Sequence, residues 1–276
     1  MHPPVGGMQG YNGIYWGWNP DIENGVNITM INEATGKKAS TYGIFSQIKN
    51  ANSYDGTQLL RYIDEIKSSG AVLVAHIMPT GLKFKQVGSE IAADIATVVK
   101  KFTDEGIEVW LRFAHEMNYY AKTGYYNGTA EEFVYAWRNV SNAVKDIDRC
   151  LMFWSPNNAK TVDELNDWWP GSDYVQIVGV DLYISSTSAT FANSFGSFYD
   201  AFAKKYDKHM AIGETATKPG DTAVKEAWVK ALAGTNLNDY PCMKSVTWFE
   251  LVKSYDYRII MGQSSGTVKW TLSNFQ

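Results

Sequence analysis

Residues 91–118, IAADIATVVKKFTDEGIEVWLRFAHEMN, hold one complete unit of the fold. Ile91, Ile95, Val98 and Phe102 recur at helical spacing and form one apolar stripe. Gly106 then stands where a helix C-terminus favours glycine, and a mainly apolar run begins at once, over 107–113. That run does not alternate strictly between apolar and polar residues, which suits a parallel strand covered on both faces. It ends in a polar cluster, His115-Glu116-Met117-Asn118.

The same unit recurs along the chain. Apolar runs at 13–18, 39–45, 71–77, 107–113, 151–154, 174–183, 209–213 and 243–249 give eight strand candidates. Helical signals lie between them. Leu59, Ile63 and Ile66 form a stripe closed by Gly70. Thr129 and Glu132 have capping-box spacing, followed by Phe133, Trp137, Val140 and Val144. Phe191, Phe195, Phe198 and Phe202 mark another helix, and Asp221 opens one that carries Val224, Trp228 and Leu232 and ends at Gly234. Eight βα units with no linker and no repeat predict a single (β/α)8 TIM barrel over 1–276. A doubly wound sheet is the alternative, but no Gly-rich phosphate turn follows an early strand.

The formal charge is −4 and like charges form no run, which disfavours a nucleic-acid partner. No stretch approaches the roughly 20 apolar residues that cross a bilayer. The opening MHPPVGG has no hydrophobic signal core, and the expectation is a mature, secreted, monomeric chain. Sequons at Asn27, Asn127 and Asn139 permit secretion but are no more than chance would place. Cys150 and Cys242 precede the fifth and eighth strands, which are not neighbours in a barrel, so two free thiols are expected. Ten Trp and seventeen Tyr are unusual, and several fall in predicted loops, among them Tyr119, Tyr120, Tyr125 and Tyr126. Flat rings with polar tips suit a partner with apolar faces and hydroxyls, such as a sugar.

Active sites of such barrels lie at the C-terminal ends of the strands. There the sequence places His76, His115-Glu116-Met117-Asn118, Trp154-Ser155-Pro156-Asn157, Asp181-Leu182-Tyr183, Glu214-Thr215 and Trp248-Phe249-Glu250. Carboxylates leaving the fourth and seventh strands face each other across the mouth, as the pair that flanks a glycosidic bond does. Their separation decides between retention and inversion, and sequence does not measure it. A zinc H-E-x-x-H site fails because its fifth position is Tyr119, and a G-x-S-x-G elbow is absent. A catalytically dead, glycan-binding barrel is the reading from another class. His76 is a candidate ligand for a sugar hydroxyl, and Trp154 and Tyr120 are candidates to shape neighbouring subsites.

Leu111-Arg112-Phe113-Ala114-His115-Glu116-Met117-Asn118 resembles the acid/base signature of glycoside hydrolase family 26, best known for β-mannanases. The resemblance continues in order through 153–157, 180–183, 212–214 and 247–250. It implies Glu116 as acid/base and Glu214 as nucleophile of a retaining, endo-acting hydrolase of β-linked polysaccharide. It further implies His115 beside them, Tyr183 hydrogen-bonded to the nucleophile, Trp248 as a stacking floor under the sugar, and no metal or organic cofactor. Asn118 and Asp181 fall in the same motifs and join the candidate substrate-binding set. After the His-Glu-Met-Asn string, mannanases continue with Gly and a Trp-rich segment, whereas here 119–126 reads YYAKTGYY. β-Mannan is favoured, and mixed-linkage β-glucan and β-1,3-xylan remain open.

Overall fold

The computed structural model describes Met1 and residues 6–276. His2 and most of the opening segment read above lie outside the described residues. Nine strands make one sheet: β1 (Tyr15–Pro20), β2 (Thr41–Gln47), β3 (Val72–Met78), β4 (Val109–Phe113), β5 (Cys150–Trp154), β6 (Ile177–Val178), β7 (Leu182–Ile184), β8 (His209–Thr217) and β9 (Met243–Glu250). Every pairing is parallel. β9 pairs with β1, β5 pairs with β6, and both β6 and β7 pair with β8, so the ring closes. β6 and β7 together form the sixth stave, which gives the closed eight-stave barrel the alternation predicts.

The helices are α1 (Ile28–Thr35), α2 (Thr57–Leu60), α3 (Ile63–Ser69), α4 (Ser89–Asp104), α5 (Met117–Thr123), α6 (Ala130–Val144), α7 (Phe191–Phe198), α8 (Thr222–Ala233) and α9 (Ser265–Leu272). The Thr129 hydroxyl accepts from the Glu132 N–H at 3.2 Å while the Glu132 carboxylate accepts from the Thr129 N–H at 3.1 Å, so the capping box forms at α6. No helix among the described residues is long and apolar enough to cross a membrane. Cys150 and Cys242 are free.

Strand alternation sorts the side chains into two layers. Val72, Val74, Trp110, Phe153, Ile177 and Ala211 form a small apolar cluster separate from the main core, which lies between staves and helices. In β3 and β4 the same parity that sends Val74 and Trp110 to the small cluster brings His76 and Arg112 together one layer higher.

The expected strand 174–183 is corrected at two points. Tyr174 belongs to a turn, where its carbonyl accepts from Trp137 Nε1 at 2.9 Å and Ser141 Oγ at 3.3 Å. The stave then loses its regular pairing with β8 at 179–181, while the Gly179 and Asp181 N–H groups still donate to the Trp154 and Pro156 carbonyls. A Cβ on Gly179 would lie 1.9 Å from the Ala211 carbonyl oxygen, so only glycine lets β8 pass this close. In this stretch, Asp181 turns its side chain inward to Arg112.

Candidate active site

The end of β4 is bent out of regular strand geometry. Ala114 and Glu116 have φ of 46° and 53°, left-handed values that cost energy for residues with a Cβ. The Glu116 N–H donates to the Ser155 carbonyl at 2.8 Å, which fixes the bend against the loop after β5. α5 starts at the next residue, so the Glu116 side chain leaves at the barrel mouth. Glu214 lies where the β8–β9 register shifts between Ile212 and Thr215.

Beside Glu214 sits Arg112, fully buried. It donates to Glu214 Oε1 at 2.8 Å, His76 Nδ1 at 2.6 Å and Ser155 Oγ at 2.9 Å, and it pairs with Asp181. Asp181 also accepts from Ser155 Oγ at 2.9 Å. A Cβ on Gly213 would lie 2.4 Å from Arg112 Nε, so glycine makes room for the guanidinium. Against the cost of burial, the charges of Asp181 and Glu214 hold the Arg112 pKa above its usual value. Tyr183 Oη donates to Glu214 Oε2 at 3.1 Å. Both Glu214 oxygens therefore accept hydrogen bonds.

Glu116 differs. Burial, and then the Glu214 charge, push its pKa up to about 7, opposed by the hydrogen bond from Asn157 Nδ2 at 2.5 Å. Asn157 is itself clamped: its N–H donates to Asn118 Oδ1 at 2.8 Å and its carbonyl accepts from Asn118 Nδ2 at 2.9 Å. Asn118 thus positions the partner of Glu116. His115 Nε2 lies 3.4 Å from Glu214 Oε1, and burial followed by the Arg112 charge keeps the ring neutral. Tyr120 sits edge-on to His115 with centroids 5.9 Å apart, and burial and the Glu116 charge keep its hydroxyl protonated.

A cleft of about 230 Å³ opens at this point, with Glu214, His115, Tyr120 and Tyr125 at one part of its wall. It extends over Phe45, Gln47, Gln58, Arg61, Tyr62 and Lys253. Glu116 and Glu214 keep 6% and 5% of their surface exposed, enough for a carboxyl edge to meet a bound group.

Asn118, whose amide is taken up by Asn157, and four further residues nominated from sequence do not line the mouth. Trp248 is fully buried, packed on Trp16 at 6.5 Å and donating from Nε1 to the Tyr257 carbonyl at 2.9 Å. Trp154 is equally buried among Trp169, Phe198 and Phe202, and its Nε1 donates to the Trp168 carbonyl. Both follow from alternation: Thr247 and Phe249, like Phe153 and Ser155, point inward, so the tryptophans between them point to the helices. His76 is fully buried below the cleft, stacked on Phe45 at 4.2 Å. Its Nδ1 accepts from a guanidinium that has only donors, so the ring is neutral with its proton on Nε2. Asp181 is the buried counter-ion of Arg112, out of reach of a sugar.

Arg112 and Asn157 lie within the motifs, and sequence reasoning misses their roles. The readable signal was an arginine inside the apolar strand VWLRF at the inward parity. His76, His115 and Glu214 have donor atoms within 4.8 Å of one another, close enough for a metal ion. Arg112 already donates to His76 and to Glu214, so a cation there would meet a fixed positive charge and engaged lone pairs.

The sequence matches the profile of glycosyl hydrolase family 26 over residues 16–240. Endoglucanase H of Acetivibrio thermocellus is 24% identical over 224 residues, 75% of this chain and 25% of the relative, so the chain spans about a quarter of that protein's length. Among solved structures, the family 26 β-mannanase of Bacteroides ovatus superposes with a TM-score of 0.66 at 17% identity, covering 95% of this chain and 89% of that one. A fungal β-1,4-galactanase gives a TM-score of 0.65 at 14% identity, with 94% and 99% covered. These similarities show the barrel, and the profile match over most of the chain shows that the protein belongs to glycosyl hydrolase family 26.

Proposed function

We propose that the protein is a retaining, endo-acting hydrolase of a β-linked polysaccharide, working by double displacement. The observation that carries this reading is the unequal treatment of two neighbouring carboxyls. Burial and the Glu214 charge raise Glu116 to about 7, so it holds a proton to give, while Glu214 accepts from both Arg112 and Tyr183. A carboxyl that holds a proton to give, beside one whose two oxygens both accept hydrogen bonds, suits the roles of acid and nucleophile. Glu214 attacks the anomeric carbon as Glu116 protonates the departing glycosidic oxygen, and a covalent glycosyl–enzyme forms. Glu116, now ionised, takes a proton from water, which displaces Glu214. Asn157 and Tyr120 hold the acid's side chain, and neutral His115 offers a hydrogen-bonding edge beside the reacting sugar. β-Mannan is the first substrate to try. The kinship with an endoglucanase favours mixed-linkage β-glucan as the second.

Proton NMR of the first product, taken before mutarotation, should show the anomeric configuration of the substrate. A 2-deoxy-2-fluoro glycoside of the correct sugar should label Glu214, because fluorine slows turnover of the adduct. An inverted product, or a label on Glu250 or another carboxylate, would overturn the assignment.

A further inference from the structure

We propose that the part of the cleft lined by Gln58, Arg61, Tyr62 and Lys253 is built for an anionic sugar, one that carries a carboxylate or a sulfate, held by Lys253 and Arg61, with Lys218 beside Tyr183 adding to the positive field. The proposal rests on the hydrolase reading and names the substrate class within it.

The three cations come from different staves. Lys218 directly follows β8, Lys253 follows β9, and Arg61 follows α2 in the connection after β2. Each lies by an aromatic ring at the mouth. Lys218 Nζ is 4.8 Å from the Tyr183 ring centre, and Tyr183 holds Glu214. Lys253 Nζ is 5.0 Å from Phe249 and 5.9 Å from Phe45, and its charge acts on both His115 and His76. Arg61 Cζ is 4.9 Å from the Tyr62 ring. Among the described residues none of the three is ion-paired. Lys253 and Arg61 line the cleft itself, where Glu23 is the only acid besides Glu214.

The rim after β4 has another character. Its exposed rings are Tyr119 and Tyr125, and Lys122 in the same segment approaches Glu164 at 3.8 Å. The body of the protein is net acidic, −4 overall, and the two catalytic carboxyls add a negative field at the mouth. An anionic sugar would be repelled there unless cations offset that field. An ammonium resting on a ring is shielded on one side and keeps its other side for a ligand. Cleft walls of low dielectric strengthen the attraction relative to open surface. Exposed rings with hydroxyl tips, by contrast, suit a neutral sugar on the leaving-group side.

The test is a matched pair of polymers. β-Mannan and mixed-linkage β-glucan are each assayed before and after partial oxidation of their C6 hydroxyls to carboxylates. The oxidised form should be cleaved with kcat/KM higher by roughly tenfold, and high salt should shrink the difference. In the double variant Lys253→Gln/Arg61→Gln the ratio between oxidised and neutral polymer should fall toward one. Sulfated polymer of the same backbone separates sulfate from carboxylate as the recognised group. Cleavage of the neutral polymer alone, or a ratio unchanged in the double variant, overturns the anionic preference and leaves the hydrolase reading standing. No cleavage of either form of these backbones, and none of β-1,3-xylan plain or sulfated, overturns both.

Discussion

The ends of β4 and β9 each bury a carboxyl that burial pushes up to about 7, yet the two are put to different uses. Glu250 is fully buried, and its oxygens accept three backbone N–H groups, from Ile259 at 2.9 Å and from Ile260 and Met261 at 2.8 Å. It pins the connection after β9, which carries Lys253 and Tyr257 over the mouth. Glu116 accepts from side chains alone, a clamped asparagine and Tyr120, and feels the charge of a second carboxyl. A raised pKa by itself therefore does not mark a catalytic group in this barrel. What separates the two is whether the oxygens are already committed to the backbone or remain available to a bound molecule.

The sharpest test of that difference is to truncate each side chain. Glu116→Ala should lower turnover on natural polysaccharide by roughly 10²–10⁴-fold, the usual worth of a general acid. An aryl glycoside with a good leaving group should lose less, and azide should restore deglycosylation with retained configuration. Glu250→Ala should instead cost about 3–5 kcal/mol of stability by orphaning three buried N–H groups. Its folded fraction should keep far more activity than Glu116→Ala. Urea titration and kinetics on the same preparations check both. A folded Glu250→Ala as inactive as Glu116→Ala would erase the distinction.

Changing pH sharpens it further. Both carboxyls have folded pKa values near 7, above the unfolded value of about 4.3. A group raised in this way contributes stability that is fully present below its unfolded pKa and is lost as pH rises through its folded pKa. Unfolding free energy should therefore decline between about pH 4 and 7, by about 3 kcal/mol for each group at full ionisation. Glu250→Gln should remove its share of that slope from a plot of Tm against pH. The alkaline limb of kcat/KM, near pH 7, belongs to Glu116 and should stay in place. A limb that moved with Glu250→Gln would transfer the acid's role.

The barrel was legible because its signals are local and repeated. Helical stripes, capping residues such as Thr129 and stops such as Gly70 and Gly106 recur between apolar runs. Sequence blurred the sixth stave because the run 174–183 looks continuous, while its register on β8 shifts by one residue between Val178 and Leu182. At the site, Glu116 and Glu214 stood out as acids directly after apolar strands. The residues that hold them were less visible. Arg112 joins β4 to β3, to the β5 connection and to β8 at once, and no spacing along the chain reports such a contact. The cations of the cleft were hidden for the same reason, since Arg61 and Lys253 are 192 positions apart in sequence.

The smallest effect is expected at Trp248, and it concerns which face of β9 meets the sugar. Thr247 Oγ1 lies 2.9 Å from Thr41 Oγ1, and Phe249 packs on Tyr183 at 5.6 Å. These neighbours point inward, so Trp248 faces the helical layer, next to Trp16. Trp248→Phe removes the hydrogen bond to the Tyr257 carbonyl and leaves a small void. The cost should be about 1–2 kcal/mol of stability, with kcat/KM within about twofold of the parent. A ring that instead formed the floor under a distorted sugar would show the reverse: stability nearly unchanged and catalysis lowered, because stacking orients the reacting sugar. Thermal unfolding and kinetics on one variant thus decide between the two faces of the strand. A loss of catalysis with Tm unchanged would return Trp248 to the cleft and break the inward–outward order that places Phe249 there.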